Sequence, residues 1–315
     1  MSFIDAFGGV FSIMILVAVG IFLHKLGAID ETVEEFITKF ALKITIPLTM
    51  FINGINNVSK SFLKNSWRYF LIAFAAILIS YILGYLSALA FKVKKNERGI
   101  CAMVFSLSNT IFIGLPVCTY YLGSEATSSI ITYYMANTIV FWTIGTNMVA
   151  ADVGEEIKFN FKTIKSIFSP PVMGFVIGGA LALLTIKLPK FILDPLTSIG
   201  NMTTPLVTIL TGVVISKAGF TEMMRFTKTS TISLMGRFIV SPLITLTLIL
   251  LFQVPPLTAK TFILQAAMPV MNQSLLIAKY YKSNDKVVAQ ALAVSIIIML
   301  ITTPLYVILG NGLFG

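Results

Sequence analysis

Apolar residues run in ten stretches along the chain, at 5–24, 34–56, 67–91, 99–121, 127–150, 168–187, 191–216, 229–252, 259–281 and 286–310. Most are about 20 residues or longer, the length that an α-helix needs to cross a bilayer. Most charged residues fall in the connections between them or near the segment ends. The pattern predicts an all-α polytopic membrane protein of ten transmembrane helices. Segments four, seven and nine are the interrupted ones, broken by Asn, Thr, Pro or Gln. The longest connection, 151–167, carries Asp152, Glu155, Glu156, Lys158, Lys162 and Lys165, and it divides the chain into halves of similar size, 1–150 and 168–315.

The two halves echo each other. Thr45-Ile46-Pro47-Leu48 with Gly54 in segment two matches Thr203-Thr204-Pro205-Leu206 with Gly212 in segment seven. Segments four and nine end in the tyrosine pairs Tyr120-Tyr121 and Tyr280-Tyr281. Five spans per half is an odd number, so the second copy would be inverted relative to the first. Inverted repeats are the architecture of many secondary transporters.

Composition supports the membrane reading. Of 315 residues 57% are apolar and 11% charged, less than half the usual share of charge in soluble domains. The formal net charge of +10 does not point to nucleic acid, because the basic residues sit between apolar runs. One set of connections holds Lys25, Lys92, Lys94, Lys95, Arg98, Lys158, Lys162, Lys165, Lys217, Arg225, Lys228, Lys279, Lys282 and Lys286. The other holds only Lys60, Lys64, Arg68, Lys187, Lys190 and Lys260. The richer set belongs in the cytoplasm, which places both termini outside the cell or inner membrane. Met1 to Gly20 has no basic leader and carries Asp5, so a cleavable signal is not expected.

Segment four contains Ser106-Leu107-Ser108-Asn109-Thr110 and then Gly114-Leu115-Pro116; segment nine contains Gln265-Ala266-Ala267-Met268-Pro269 and then Asn272-Gln273-Ser274. Each puts amides, hydroxyls and a proline near mid-span. Proline removes a backbone donor and frees the carbonyl one turn back. Lipid cannot satisfy such groups, so broken backbone at this depth is buried in protein or lines a cavity. Two broken helices at matching places of two halves point to a transporter binding site, and their half-helix N-termini suit an anion. The alternative is that proline and small polar residues merely kink or pack these helices.

Arg237 is the one charge deep within a span, where it costs about 3 kcal/mol or more. It could balance a substrate carboxylate, pair with carbonyls of a broken helix, or reach an interface. No carboxylate stands at mid-span; Asp194, Glu34 and Glu35 lie at segment ends, which argues against a buried proton relay. Glu35, Lys39 and Lys43 fall on one helix face as a polar flank. His24 reads as interfacial. Cys101 and Cys118 lie ~25 Å apart if helical, too far to bridge. One His and two distant Cys do not make a metal site, no cofactor motif is present, and no nucleophile–base pair suggests an enzyme.

The residues just quoted resemble a known family. Asn109-Thr110 with Gly114-Leu115-Pro116 is similar to the fourth-helix motif of the auxin efflux carriers, the PIN-like family of plants and its bacterial members. Gln265-Ala266-Ala267-Met268-Pro269 with Ala278-Lys279-Tyr280 resembles the ninth-helix motif, and Pro47-Leu48 fits the second helix. Two departures stand out: Ser108 occupies the position of a proline in plant carriers, and the long central loop of many plant members is absent. The resemblance implies an inverted five-plus-five fold with helices 1, 2, 6 and 7 as a scaffold, often dimeric, and helices 3–5 and 8–10 as a mobile transport domain. The broken helices would cross at mid-membrane and hold a substrate carboxylate. Asn109, Thr110 and Pro269 match that crossover, with Gly114, Pro116, Gln265 and Arg237 around it, Asn272 added from its own chemistry, and Pro47 and Pro205 marking the scaffold. The implied function is elevator-type export of small organic anions, auxin-like or malate-like; neutral amides lean toward a monocarboxylate. The rivals are a sodium-coupled symporter of the bile-acid type, whose cation site would draw on Asn109, Thr110, Gln265 and Asn272, and a membrane anion sensor that does not transport.

Overall fold

The computed structural model describes residues 15–58, 60–155, 170–218 and 225–315. The beginning of the first segment and most of the 151–167 linker lie outside the described residues. The described chain is helical, with a single isolated β-bridge between Ser108 and Val270. Four helices are long and apolar enough to cross a bilayer, Ser66–Ala90, Lys190–Lys217, Lys228–Leu251 and Asp285–Phe314, and two apolar helices are shorter, Ile15–Lys25 and Pro170–Leu183.

In chain order, α1 is Ile15–Lys25. The second helix, α2, opens at Glu31–Phe40, where the Asp30 carboxylate accepts from the Val33 N–H at 2.8 Å, a side-chain cap on the first turn. It passes through a π turn, Ala41–Thr45, and continues as Ile46–Asn57. α3 is Lys60–Ala90, α4 Arg98–Ser106 and α5 Gly114–Leu122. α6 comprises Thr127–Val140, a π turn Phe141–Gly145 and Thr146–Asp152. α7 is Pro170–Leu183, α8 Lys190–Asn201 and α9 Thr203–Ala218. α10 comprises Lys228–Met235, a π turn Gly236–Val240 and Ser241–Leu251. α11 is Pro256–Ala266, α12 Gln273–Tyr280 and α13 Asp285–Phe314.

Two of the π turns have a readable cause. Pro47 and Pro242 each stand two residues after the turn, where their missing N–H would leave a carbonyl unpaired. The Ile46 N–H reaches back to the Ala41 carbonyl, and the Ser241 N–H to the Gly236 carbonyl. The helices widen by one residue there rather than break. Segment seven, expected to be interrupted, bends only at Met202, between α8 and α9.

One packed unit is built from α1, α2 and α7–α9, and its contacts are closest at glycines. A Cβ at Gly178 would stand 2.1 Å from the Phe51 carbonyl, and one at Gly54 2.5 Å from the Phe175 carbonyl. Across the unit, a Cβ at Gly20 would stand 2.0 Å from the Ile209 carbonyl, and one at Gly212 2.0 Å from the Val17 carbonyl. Every residue of the first set is 158 positions from its counterpart in the second. Small residues let membrane helices approach until backbone meets backbone. Between the two sets lies a hydroxyl knot. Thr203 Oγ1 donates to Thr45 Oγ1 at 2.9 Å, and Thr49 Oγ1 lies 2.8 Å from Thr203 Oγ1 and 2.7 Å from the Gly200 carbonyl. Thr45 and Thr203 are again 158 apart.

The remaining helices, α3–α6 and α10–α13, pack around a core that includes Met103, Leu107, Tyr133, Phe141 and Phe262. Tyr133 meets Phe262 edge to face at 5.4 Å. The Phe105 ring presses into α10 at Gly236, where any Cβ would overlap it. At one end, the buried Glu97 carboxylate accepts from Thr229 Oγ1 at 2.5 Å and from Asn284 Nδ2 at 2.9 Å. This ties the entry of α4 to the starts of α10 and α13. The Asp152 carboxylate accepts from the Gly99 N–H and so caps α4 from the end of α6; burial pushes this carboxyl above its ordinary range, against the pull of that N–H and of Arg98. On the exposed flank of α2, Lys39 pairs with Glu35 at 2.6 Å, as the spacing predicts.

Candidate functional site

The two interrupted segments meet. α4 stops at Ser106 and α5 begins at Gly114; α11 stops at Ala266 and α12 begins at Gln273. The extended residues between them cross as a short antiparallel pair. The Asn109 N–H donates to the Pro269 carbonyl at 2.8 Å, and the Met271 N–H donates to the Leu107 carbonyl at 3.2 Å. Backbone broken in the interior thus finds its partners in the other break, which answers the requirement that buried peptide groups be paired.

Side chains secure the crossing. Asn109 Oδ1 accepts from the Phe112 N–H at 3.2 Å, an Asx-type turn, while its Nδ2 donates to Asn272 Oδ1 at 3.2 Å. One amide therefore shapes its own loop and holds the opposite break. From α6, Asn137 grips both sides of Ser108. Its Oδ1 accepts from the Ser108 N–H at 3.2 Å, and its Nδ2 donates to the Ser108 carbonyl at 3.1 Å. In the other half, Ser295 Oγ of α13 accepts from the Val270 N–H at 3.1 Å. Asn137 and Ser295 are also 158 positions apart.

Beside the crossing lies a small cleft lined by Ser108, Asn109, Thr110, Ile111, Phe112, Tyr134, Pro171, Met271 and Gln273. Its polar groups are hydroxyls and amides; the N–H groups of Gly114, Ser274 and Leu275, which open α5 and α12, are taken by the carbonyls of Asn109, Met271 and Asn272. No carboxylate lines it. A second, small apolar cavity shares Phe112 and is lined also by Val17, Ile113, Pro116, Val117, Thr208 and Met299.

Of the residues singled out from the sequence, Asn109, Thr110, Pro269 and Asn272 come together at the crossing. Gly114 opens α5 beneath the fully buried amide of Gln265, which lies 2.3 Å from where a Cβ on Gly114 would be and also faces the Cys118 thiol. Pro116 lines the apolar cavity rather than the cleft. Arg237 is fully buried on the other side of α11: Nη2 donates to the Ala266 carbonyl at 2.6 Å and to Ser241 Oγ at 2.8 Å. Of its three readings, pairing with a carbonyl at a helix break is met by this contact, and Arg237 does not line the cleft. Pro47 and Pro205 lie in the glycine-packed unit, Pro47 with its carbonyl under Gly174.

The sequence reading missed Asn137, Ser295, Tyr134 and Gln273. Asn137 carried a signal, since it is one of two amides, with Asn147, amid the apolar span 127–150 and the one nearer its middle. We expect Asn137→Ala to lower transport by about 10- to 100-fold, because the buried Ser108 N–H loses its partner, a loss of about 1–3 kcal/mol, and the Ser108 carbonyl keeps only the Thr110 N–H. Ser295→Ala, which removes one bond, should cost less, and initial rates in proteoliposomes measure both.

With this geometry in view, comparison with known proteins decides the family. The profile of a family described as membrane transport proteins matches residues 5–307. The chain belongs to that family, the PIN-like auxin efflux carriers. It is also similar to an uncharacterized transporter of Methanocaldococcus jannaschii, 27% identical over 306 residues that cover 93% of this chain and 95% of the relative. The protein is therefore a multi-pass membrane transporter and not an enzyme.

Proposed function

We propose that this transporter is a secondary carrier exporting small organic anions, carboxylates of the auxin-like or malate-like kind, by elevator-type alternating access. The observation that carries the reading is the crossing of residues 107–109 with 269–271, flanked by a cleft whose described lining offers amides and hydroxyls but no acid. Neutral donors without an acid favour a carboxylate over a cation. The 158-residue correspondence of glycine contacts, of Thr45 with Thr203 and of Asn137 with Ser295 supports ten spans arranged as an inverted repeat. In that arrangement α1, α2 and α7–α9 form a scaffold, which pairs with a second copy, and the other helices carry the site past it. The cleft supports this division, since Pro171 of α7 faces crossing residues of the other unit. Both termini face outward, following the basic connections.

Export from a negative interior is favoured by ~2.3 kcal/mol per charge per 100 mV, so no coupling ion is required. The test is solid-supported-membrane electrophysiology on proteoliposomes with malate, malonate, indole-3-acetate and simple monocarboxylates, with and without sodium and with a pH step. The expected result is a substrate-dependent current that needs no sodium. A current that requires sodium replaces the reading with a symporter, and silence from folded protein contradicts it.

A further inference from the structure

Arg237 presents a problem that the crossing does not solve. Its side chain is fully buried at mid-span, and only Nη2 is hydrogen-bonded; Nε and Nη1 have no partner. Among the described residues no carboxylate pairs with it, and the sequence offers none at mid-span. The Ala266 carbonyl brings the negative end of the α11 dipole to the guanidinium, which steadies it locally. A dipole adds no net charge, however, so the packed interior still carries one uncompensated positive charge. Such a charge is retained in a membrane interior only where something offsets its cost.

Everything that holds Arg237 belongs to one body. Ser241 lies on α10 and Ala266 on α11, while Tyr133 of α6 and Tyr306 of α13 are its electrostatic neighbours. Phe105 of α4 is wedged against Gly236, the residue before it. The same α6 turn that sends Tyr133 toward Arg237 sends Tyr134 to the cleft. Arg237 therefore lies one helix away from the cleft, within the same low-dielectric body, where a charge acts over distances that water would screen.

Resting on the carrier reading above, we infer that Arg237 is the built-in counter-charge of the cargo: without touching it, the guanidinium neutralises a singly charged carboxylate, so that the loaded transport domain crosses as a neutral body. The selected cargo is then a monoanion. The voltage acts on the return of the empty domain, which carries the positive charge inward, and not on the loaded step. Over a full cycle one negative charge still leaves the cell, as export by potential requires. A dicarboxylate would leave the loaded domain with a net negative charge and gain no such compensation.

The test separates loaded from empty movement. Homoexchange of radiolabelled indole-3-acetate, at equal concentration on both sides of proteoliposomes, uses only the loaded step, whereas net efflux uses both. With potentials set by potassium and valinomycin, wild-type exchange should change less than about twofold between 0 and −120 mV while net efflux changes severalfold. Arg237→Gln should make exchange voltage-sensitive by about tenfold, as expected for one charge with half the field acting on the barrier; Arg237→Lys should restore insensitivity. If Arg237→Gln does not fold, wild type alone still decides, because voltage-sensitive exchange there overturns the inference. Currents with dicarboxylates only in the panel above overturn it too and leave the carrier reading standing, whereas silence across that panel removes the carrier reading itself.

Discussion

Asn109→Ala abolishes substrate-driven current in proteoliposomes while the protein still inserts and elutes as a folded species. Three interactions are lost together: the cap on the Phe112 N–H, the bond to Asn272, and the amide that faces the cleft. The backbone pairing of Asn109 with Pro269 survives, since any residue can supply that N–H. The crossing therefore persists but no longer holds its geometry. Misplacement of a positioning group by about 1 Å costs on the order of a hundredfold in rate where alignment matters, and removal of the contact itself adds to that. Wild-type flux in this variant would show that the cleft at the crossing is not the transport site.

Gly178→Ala and Gly20→Ala are the second pair, and their effect falls on stability rather than on rate. Each new methyl would stand about 2 Å from a backbone carbonyl, of Phe51 and of Ile209 respectively. Backbone cannot rotate away as a side chain does, so α7 must separate from α2, and α1 from α9. Overpacking of this kind costs about 3 kcal/mol, or roughly a 5–10 °C fall in the midpoint of thermal unfolding. Gly312→Ala, whose Cβ meets nothing within 4 Å, is the control that should leave the midpoint unchanged. Heating detergent-purified protein and measuring what remains monodisperse reads all three. If the two substitutions prove as harmless as the control, the backbone contacts do not hold this unit together. Because Gly20 and Gly178 occupy equivalent positions, similar losses at both would support the repeat.

These positions also show how much was legible beforehand. Thr45 and Thr203 stand out in the sequence as matching members of two motifs, and in the structure they hydrogen-bond to each other. They stand 158 positions apart, as paired elements of the proposed repeat would. Asn109 and Pro269 were readable because amides and prolines recur at mid-span in two segments at matching places of the two halves, which a simple kink or packing site accounts for less well than a pair of breaks. Asn137 was harder. An amide in an apolar helix that carries a second one, Asn147, resembles ordinary interhelical packing, and its role depends on which backbone faces it. The destination of Arg237 was open for the same reason, since rotation about the α10 axis decides it, and the π turn after Met235 alters that rotation by one residue. The π turns themselves leave little trace, because Pro47 and Pro242 are equally consistent with kinks.

The most direct test of the account is whether the crossing opens to both sides of the membrane in turn. Thr110 is buried at the crossing and lines the cleft, and the two cysteines of the chain, Cys101 and Cys118, are free and buried, so both can be replaced by alanine. In that background, Thr110→Cys is exposed to a small membrane-impermeant methanethiosulfonate, applied first to one face and then to the other of oriented vesicles. The account predicts modification from either face, slowed by the transported acid on both. Modification from one face only, whatever acid is present, would contradict alternating access at the crossing.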